Sequence, residues 1–202
     1  MPSLKTTTPI SRGKTYHIFN RGINSQQVYF TNANYHYFLK LLQKYLSGYC
    51  QFLSYCLMPN HYHLIVRIND FALHNDHTLP DIEGIGKIFI NQLRRLIISY
   101  TKAINKQENR HGAIFDARYK RLEVTSEEYL KYLIFYCHYN PEKHGVINNF
   151  RNYSFSSYHA FVSSANTQLS RQSVIDYSGG VQEFIEYHKV IHNKRKGLIL
   201  EE

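Results

Sequence analysis

The apolar and polar positions of the chain follow two rhythms, a strand-like alternation of two and a helical spacing of three to four. From Lys14 to Asn20 they alternate, with Tyr16, Ile18 and Asn20 on one face and His17 and Phe19 on the other. Arg21-Gly22-Ile23-Asn24 reads as a turn. Tyr37, Phe38, Leu41, Leu42 and Tyr45 then fall at helical spacing, with Asn34 as the expected cap and Gly48 as the stop. Phe52 to Leu57 reads as a second strand. Met58-Pro59-Asn60 turns into the run from His61 to Ile68, so the two segments are expected to pair as an antiparallel hairpin. The polar stretch 69–81 is expected as a loop. From Ile82 to about Lys106, the residues Ile85, Ile88, Phe89, Leu93, Leu96, Ile97, Tyr100 and Ile104 form one stripe of a long amphipathic helix. Lys87, Arg94, Arg95, Lys102 and Lys106 lie around it, by default on a solvated face.

Glu108 to Gly112 reads as a turn, and Ile114 to Val124 as a loop running into a strand. Thr125-Ser126-Glu127-Glu128 has the capping-box pattern with acidic residues in the first turn. It opens a helix through Tyr129, Leu130, Leu133, Ile134 and Cys137, which Pro141 is expected to stop. A turn at Glu142 to Val146 and a compact polar-aromatic segment, Tyr153 to Tyr158, follow. Residues 163–172 read as a connector, 173–193 as one or two short helices around Gly179-Gly180, and Lys194-Arg195-Lys196 as a basic tail. Strands and helices are mixed along the chain, an α+β pattern. The expected division is a flexible N-terminal tail at 1–13, one domain at 14–162 and a helical extension at 163–202.

Composition adds a partner class. Lys and Arg number 24 against 15 Asp and Glu, a net charge of +9, which favours a polyanion. The 18 Tyr and 12 Phe, with no Trp, supply rings that stack on unpaired bases, although most of the tyrosines are expected at core edges. The three cysteines, Cys50, Cys56 and Cys137, form no C-x-x-C pair and are expected reduced and buried. No apolar run reaches the roughly 18 residues of a membrane span, and Met1-Pro2-Ser3-Leu4-Lys5-Thr6 lacks the apolar core of a signal peptide. A cytoplasmic, nucleoid-associated protein with no membrane partner is expected.

The candidate chemistry sits in two stretches. On a strand, His61 and His63 project to one side and Tyr62 to the other, so two imidazoles share a face as half of a divalent-metal site. With 12 His in the chain, such a pair arises by chance roughly once, so it needs a partner motif to carry weight. That partner is the helix in which Tyr136 and Asn140 stand one turn apart on a common face. Arg118, Lys120 and Arg121, interleaved with Phe115 and Tyr119, suit a surface that grips a nucleic-acid strand. His74 and His77, with Asp76 between them, form a second, looser pair on the polar loop.

Together, Met58-Pro59-Asn60-His61-Tyr62-His63 and Tyr136-Cys137-His138-Tyr139-Asn140-Pro141-Glu142-Lys143-His144-Gly145 resemble the single-tyrosine HUH transposases, and among them the REP-associated tyrosine transposases. Asn20-Arg21-Gly22 and Tyr153-x-Phe155-Ser156-Ser157-Tyr158 resemble further segments of that family, so the likeness covers roughly residues 14–160. Phe155 stands where the family often has Trp, and His144 where it has a small residue; neither is expected to touch the chemistry. The resemblance implies a ferredoxin-like α+β sandwich, a central antiparallel sheet with helices on one face, and a helical C-terminal extension. It also implies a metal site for Mg²⁺ or Mn²⁺ from His61, His63 and Asn140, and Tyr136 as nucleophile, with Tyr132 and Tyr139 as rivals. Arg21, Arg118, Tyr119, Lys120 and Arg121 are the expected DNA contacts.

The implied activity is cleavage and rejoining of single-stranded, hairpin-bearing DNA through a 5′-phosphotyrosine, by a monomer or a homodimer. A phenol ordinarily ionises near pH 10, and no residue near Tyr136 in sequence is an obvious base; His138, two residues on, lies about 200° round the helix. Two other classes compete: a domesticated module that binds hairpin DNA without cutting it, and a zinc hydrolase built on His61, His63, His74 and His77.

Overall fold

The computed structural model describes residues 8–70 and 82–200. Strand β1 (Thr15–Arg21) is followed by helix α1 (Asn32–Leu46), strands β2 (Cys50–Met58) and β3 (His61–Ile68), helix α2 (Ile82–Gln107) and strand β4 (Lys120–Val124). The sheet is wholly antiparallel in the order β2-β3-β1-β4. This βαββαβ order, with β1 and β3 central, is the ferredoxin-like arrangement that the family resemblance implies. The β2–β3 hairpin pairs as anticipated, with one register shift between Phe52 and Ser54.

The pleat divides β3 between two cores. Tyr62, Leu64 and Val66 pack with α1 and α2, joining Phe38, Leu42, Phe89 and Leu96. Ile65 faces the other way and meets Leu53, Cys56 and Met58 of β2 beneath helix α3 (Glu127–Lys143). Helices therefore cover both faces, not one, because α3 returns across the side that α1 and α2 leave open. Residues 62–66 of β3 are accordingly all buried.

Two helix ends differ from the expected ones. Thr31 occupies the cap of α1, and Asn34 works from inside the first turn, its Oδ1 accepting the N–H groups of Phe30 and Thr31 at 2.9 and 3.0 Å. Helix α3 runs through Pro141 and ends only at Lys143. Proline lacks an N–H and so cannot continue the ladder, but one missing bond in the last turn is tolerable where packing holds the helix. The chain then reverses at Gly145, whose φ of +67° suits a residue without a Cβ.

The Tyr153–Tyr158 segment lies along β2, with Leu57 N–H donating to Phe155 O and Ser157 N–H to Tyr55 O, each at 2.9 Å. Helices α4 (Tyr158–Val162), α5 (Arg171–Ser178) and α6 (Val181–Leu200) follow. The basic residues expected as a tail thus sit on α6, whose Phe184, His188 and His192 are buried against α3 and its neighbours. Cys50, Cys56 and Cys137 are free and buried. No helix among the described residues is long and apolar enough to cross a membrane.

Candidate active site

The site forms where the start of β3 meets the last two turns of α3. His61 pairs with Arg21 and His63 with Phe19 across the β1–β3 ladder, so all four side chains share one face of the sheet. The rings of His61 and His63 are 5.1 Å apart and nearly perpendicular. The turn that leaves β1 comes close to the β2–β3 turn here: Gly22 N–H donates to Asn60 O at 2.7 Å, and a Cβ on Gly22 would sit 2.2 Å from Gln26 O.

Each imidazole is held through the same nitrogen. His61 Nδ1–H donates to Asn60 Oδ1 at 2.6 Å, and His63 Nδ1 meets His17 Nε2 at 2.9 Å. Both Nε2 atoms are thereby left to a ligand, the pattern by which an outer partner orients a metal-binding histidine. Burial lowers the His61 pKa to about 4, aided by the charges of His144 and Arg21. Burial likewise holds His63 well below its usual value, with His17, His61, His144 and Lys143 adding to the effect. Neutral imidazoles with free lone pairs are the form that binds a metal.

Asn140 is fully buried on the facing helix. Its Nδ2 donates to Tyr136 O at 2.6 Å, while its Oδ1 finds no hydrogen-bond partner among the described residues. An orphaned buried amide oxygen is costly, of the order of 1–3 kcal/mol, and a cation beside the two histidines would relieve it. Two imidazole nitrogens and an amide oxygen fit a divalent ion such as Mg²⁺ or Mn²⁺. Among the described residues no three of His, Cys, Asp or Glu are grouped to hold a metal, so an ion held by His61 and His63 would take any third side-chain donor from another residue type. His74, Asp76 and His77 lie outside the described residues.

Tyr136 stands beside this set, its ring 6.1 Å from that of His63 and partly exposed. The rival tyrosines are placed differently. Tyr139 is buried against Phe135, and burial with the Glu142 carboxylate raises its pKa. Tyr132 lies under Arg195 of α6, whose guanidinium reaches its hydroxyl. His138 is fully buried between Ser157 and His188, at 2.8 and 2.9 Å, facing away from the site.

The expected DNA contacts divide by face. Lys120 pairs with Phe19 in the β1–β4 ladder and so shares the histidine face, its Nζ 6.0 Å from the Phe19 ring centre. Arg121 lies on the opposite face, where its guanidinium bonds Thr8 O at 2.5 Å and Tyr119 Oη at 3.2 Å. Arg118 and Arg21 are exposed. Four neighbours of the site are not among the sequence candidates: His17, Asn60, Lys143 and His144. His144, one of the two departures from the family pattern, places its ring 5.6 Å from that of His61. Phe155, the other departure, stacks on Tyr35 at 3.9 Å and serves packing. The helical spacing of 136, 140 and 143 is a signal that could reveal Lys143; nothing local in sequence signals the His17–His63 contact.

The chain is 26% identical over 104 residues, 52% of its length and 56% of the other's, to a curated protein of Haemophilus influenzae whose description assigns it by inference to the REP-associated tyrosine transposases. It thus spans little more than half of that relative. Among solved structures it is similar to a REP-associated tyrosine transposase bound to a REP hairpin, with a TM-score of 0.58 and 18% identity over 80% of this chain and 86% of that one. The family resemblance of the motifs is borne out. No protein-family model matches the chain. The structural likeness to the REP-associated transposase shows the ferredoxin-like fold shared by the two, and the sequence match points to the same group.

Proposed function

We propose that this chain is an enzyme of the REP-associated tyrosine transposase kind, a metal-dependent single-stranded DNA endonuclease and strand-transferase acting on hairpin-bearing repeat DNA. The observation that carries the reading is the meeting of the His61–His63 pair with Tyr136, with Asn140 one turn along the same helix. His61 and His63 present free Nε2 atoms, the buried Asn140 Oδ1 lacks a hydrogen-bond partner among the described residues, and Tyr136 is a partly exposed phenol beside His63. The hairpin as substrate is suggested by the solved relative, which is bound to a REP hairpin.

His61, His63 and Asn140 would hold Mg²⁺ or Mn²⁺, which when bound supplies Lewis-acid polarisation of the scissile phosphate. Tyr136 Oη attacks phosphorus as the bond to the 3′ oxygen breaks; the phenol loses its proton and the leaving 3′ oxygen gains one. The product is a 5′-phosphotyrosine and a free 3′-OH, and the covalent link keeps the bond energy for rejoining. Asn140 Nδ2, bonded to Tyr136 O, ties the metal-side amide to the backbone of the nucleophile. Phe19, Lys120 and Arg21, on the histidine face, offer a ring and two cations to the unpaired strand on either side of the cut.

The test is a denaturing gel of the protein with a labelled hairpin oligodeoxynucleotide bearing unpaired flanks, in Mn²⁺. A covalent protein–DNA band is expected with wild type and absent with Tyr136→Phe or on chelation of the metal. A band that survives in Tyr136→Phe transfers the role to Tyr132 or Tyr139. Binding without any band, by wild type as by variant, supports instead a domesticated DNA-binding module.

A further inference from the structure

The geometry points to Lys143 as a catalytic residue that grips the scissile phosphate at the nucleophile, an inference that rests on the reading above and deepens it. Its Nζ donates to Tyr136 Oη at 3.3 Å and lies 4.8 Å from the centre of the Tyr136 ring. The two residues are seven apart, two helical turns, so they leave α3 on the same face. Both side chains reach solvent on the side from which DNA must approach.

No carboxylate is paired with Lys143 among the described residues, and the nearest in sequence is committed elsewhere. Glu142 accepts from His192 Nε2 at 2.7 Å and from Phe150 N–H at 3.1 Å, turned toward α6. The ammonium of Lys143 is therefore left with the phenol oxygen and whatever binds beside it.

The chemistry says what that is. In the attacking arrangement phosphorus lies in line with Tyr136 Oη, and its non-bridging oxygens are one bond further out. A cation at hydrogen-bond distance from Oη reaches one of those oxygens without moving its own helix. The ring of His63, in the proposed metal set, lies 6.1 Å from that of Tyr136. The phosphate is then held both by the metal set and by Lys143 while negative charge builds on its oxygens. Lys143 keeps its three protons throughout. Tyr136 gives its proton to water, the Oη–P bond forms, the P–O3′ bond breaks, and the 3′ oxygen takes a proton from water. Lys143 is thus an electrostatic partner and not the missing base.

The experiment measures single-turnover adduct formation by the full chain, with saturating hairpin oligodeoxynucleotide and Mn²⁺, and in parallel the dissociation constant by fluorescence anisotropy. Lys143→Gln is expected to slow adduct formation by about ten- to a hundredfold, with affinity changed by less than about threefold because one phosphate contact is a small part of binding. Lys143→Arg recovers most of the rate, since a guanidinium also binds phosphate. Lys102→Gln, exposed on α2 behind the other face of the sheet, removes the same charge and leaves the rate unchanged. A Lys143→Gln rate equal to wild type, or a fall in rate matched by the fall in affinity, overturns the assignment while leaving the cleavage reading intact. A wild-type protein that binds the hairpin but forms no adduct overturns the cleavage reading itself and this inference with it.

Discussion

At the residue scale, the site is defined less by which groups are present than by which of their atoms are spoken for. His61 and His63 each commit Nδ1 to a neighbour, Asn60 and His17. If His63 binds the metal through Nε2, its Nδ1–H donates to His17 Nε2, and His17 must carry its own proton on Nδ1. His17 is buried, and burial lowers its pKa to about 4, so it stays a neutral acceptor. Replacing it with Phe removes that acceptor while keeping an aromatic ring against Phe19. Mn²⁺ affinity, read by titration calorimetry, is expected to fall by about ten- to a hundredfold. An unchanged affinity would mean that His17 merely packs. The motif His61-Tyr62-His63 is legible in the sequence because a strand places alternate residues on one face. His17 is not, because its contact depends on the register of β1 against β3, which joins positions 46 residues apart.

At the scale of elements, α3 carries both Tyr136 and Asn140, and α6 fastens it from behind. His138 of α3 bonds His188 of α6, which in turn bonds Phe184 O at 2.8 Å, and His192 bonds Glu142. Burial holds His138 well below its usual pKa and lowers His188 to about 4. A histidine whose folded pKa lies below its unfolded one leaves the unfolded state with more bound protons, so stability falls as pH falls. For His188 the window runs from its unfolded value near 6.5 down to about 4, with no effect above it. Each unit inside the window costs about 1.4 kcal/mol per such group. A melting temperature that is flat above pH 7 and drops steadily toward pH 4.5 is expected, with a shallower drop in His188→Gln. Phe184→Ala, which empties a buried aromatic site between α6 and α4, is expected to cost about 3–5 kcal/mol by denaturant unfolding. Helix α6 is legible as helix, but its basic end reads as a tail because Lys194, Arg195 and Lys196 give no local reason to continue. Packing of Phe184, His188 and His192 supplies that reason.

At the scale of the whole molecule, the charge of +9 is not spread evenly in function. The pleat sends Lys120 and Arg21 to the histidine face and Arg121 to the far one. Binding of single-stranded DNA is expected to weaken with salt, and each phosphate that a side chain neutralises adds about 0.7 to the steepness of log K against log salt. Lys120→Gln and Arg21→Gln should each make that slope shallower, measured by anisotropy between low and moderate salt, whereas Arg121→Gln should leave it unchanged. Equal effects from all three would show that the far face also meets the strand.

What the sequence determined alone was whatever depends on neighbours within a few residues. Alternation placed His61 and His63 together, helical spacing aligned Tyr136 with Asn140, the mix of strands and helices gave an α+β pattern, and the resemblance of the motifs implied the ferredoxin-like sheet. The motif pair also carried the resemblance to the REP-associated tyrosine transposases. The tertiary structure decided what depends on chain segments far apart. It brought α3 onto the second face of the sheet, carried that helix through Pro141, and set His144 beside His61 and Lys143 beside Tyr136. It divided the basic residues of β4 between two faces, and it bound α6 to the back of the helix that carries Tyr136. Local rules of period and capping act over one turn or one pleat, whereas these features follow from burying two apolar faces of one sheet at once. That requirement belongs to the folded chain as a whole.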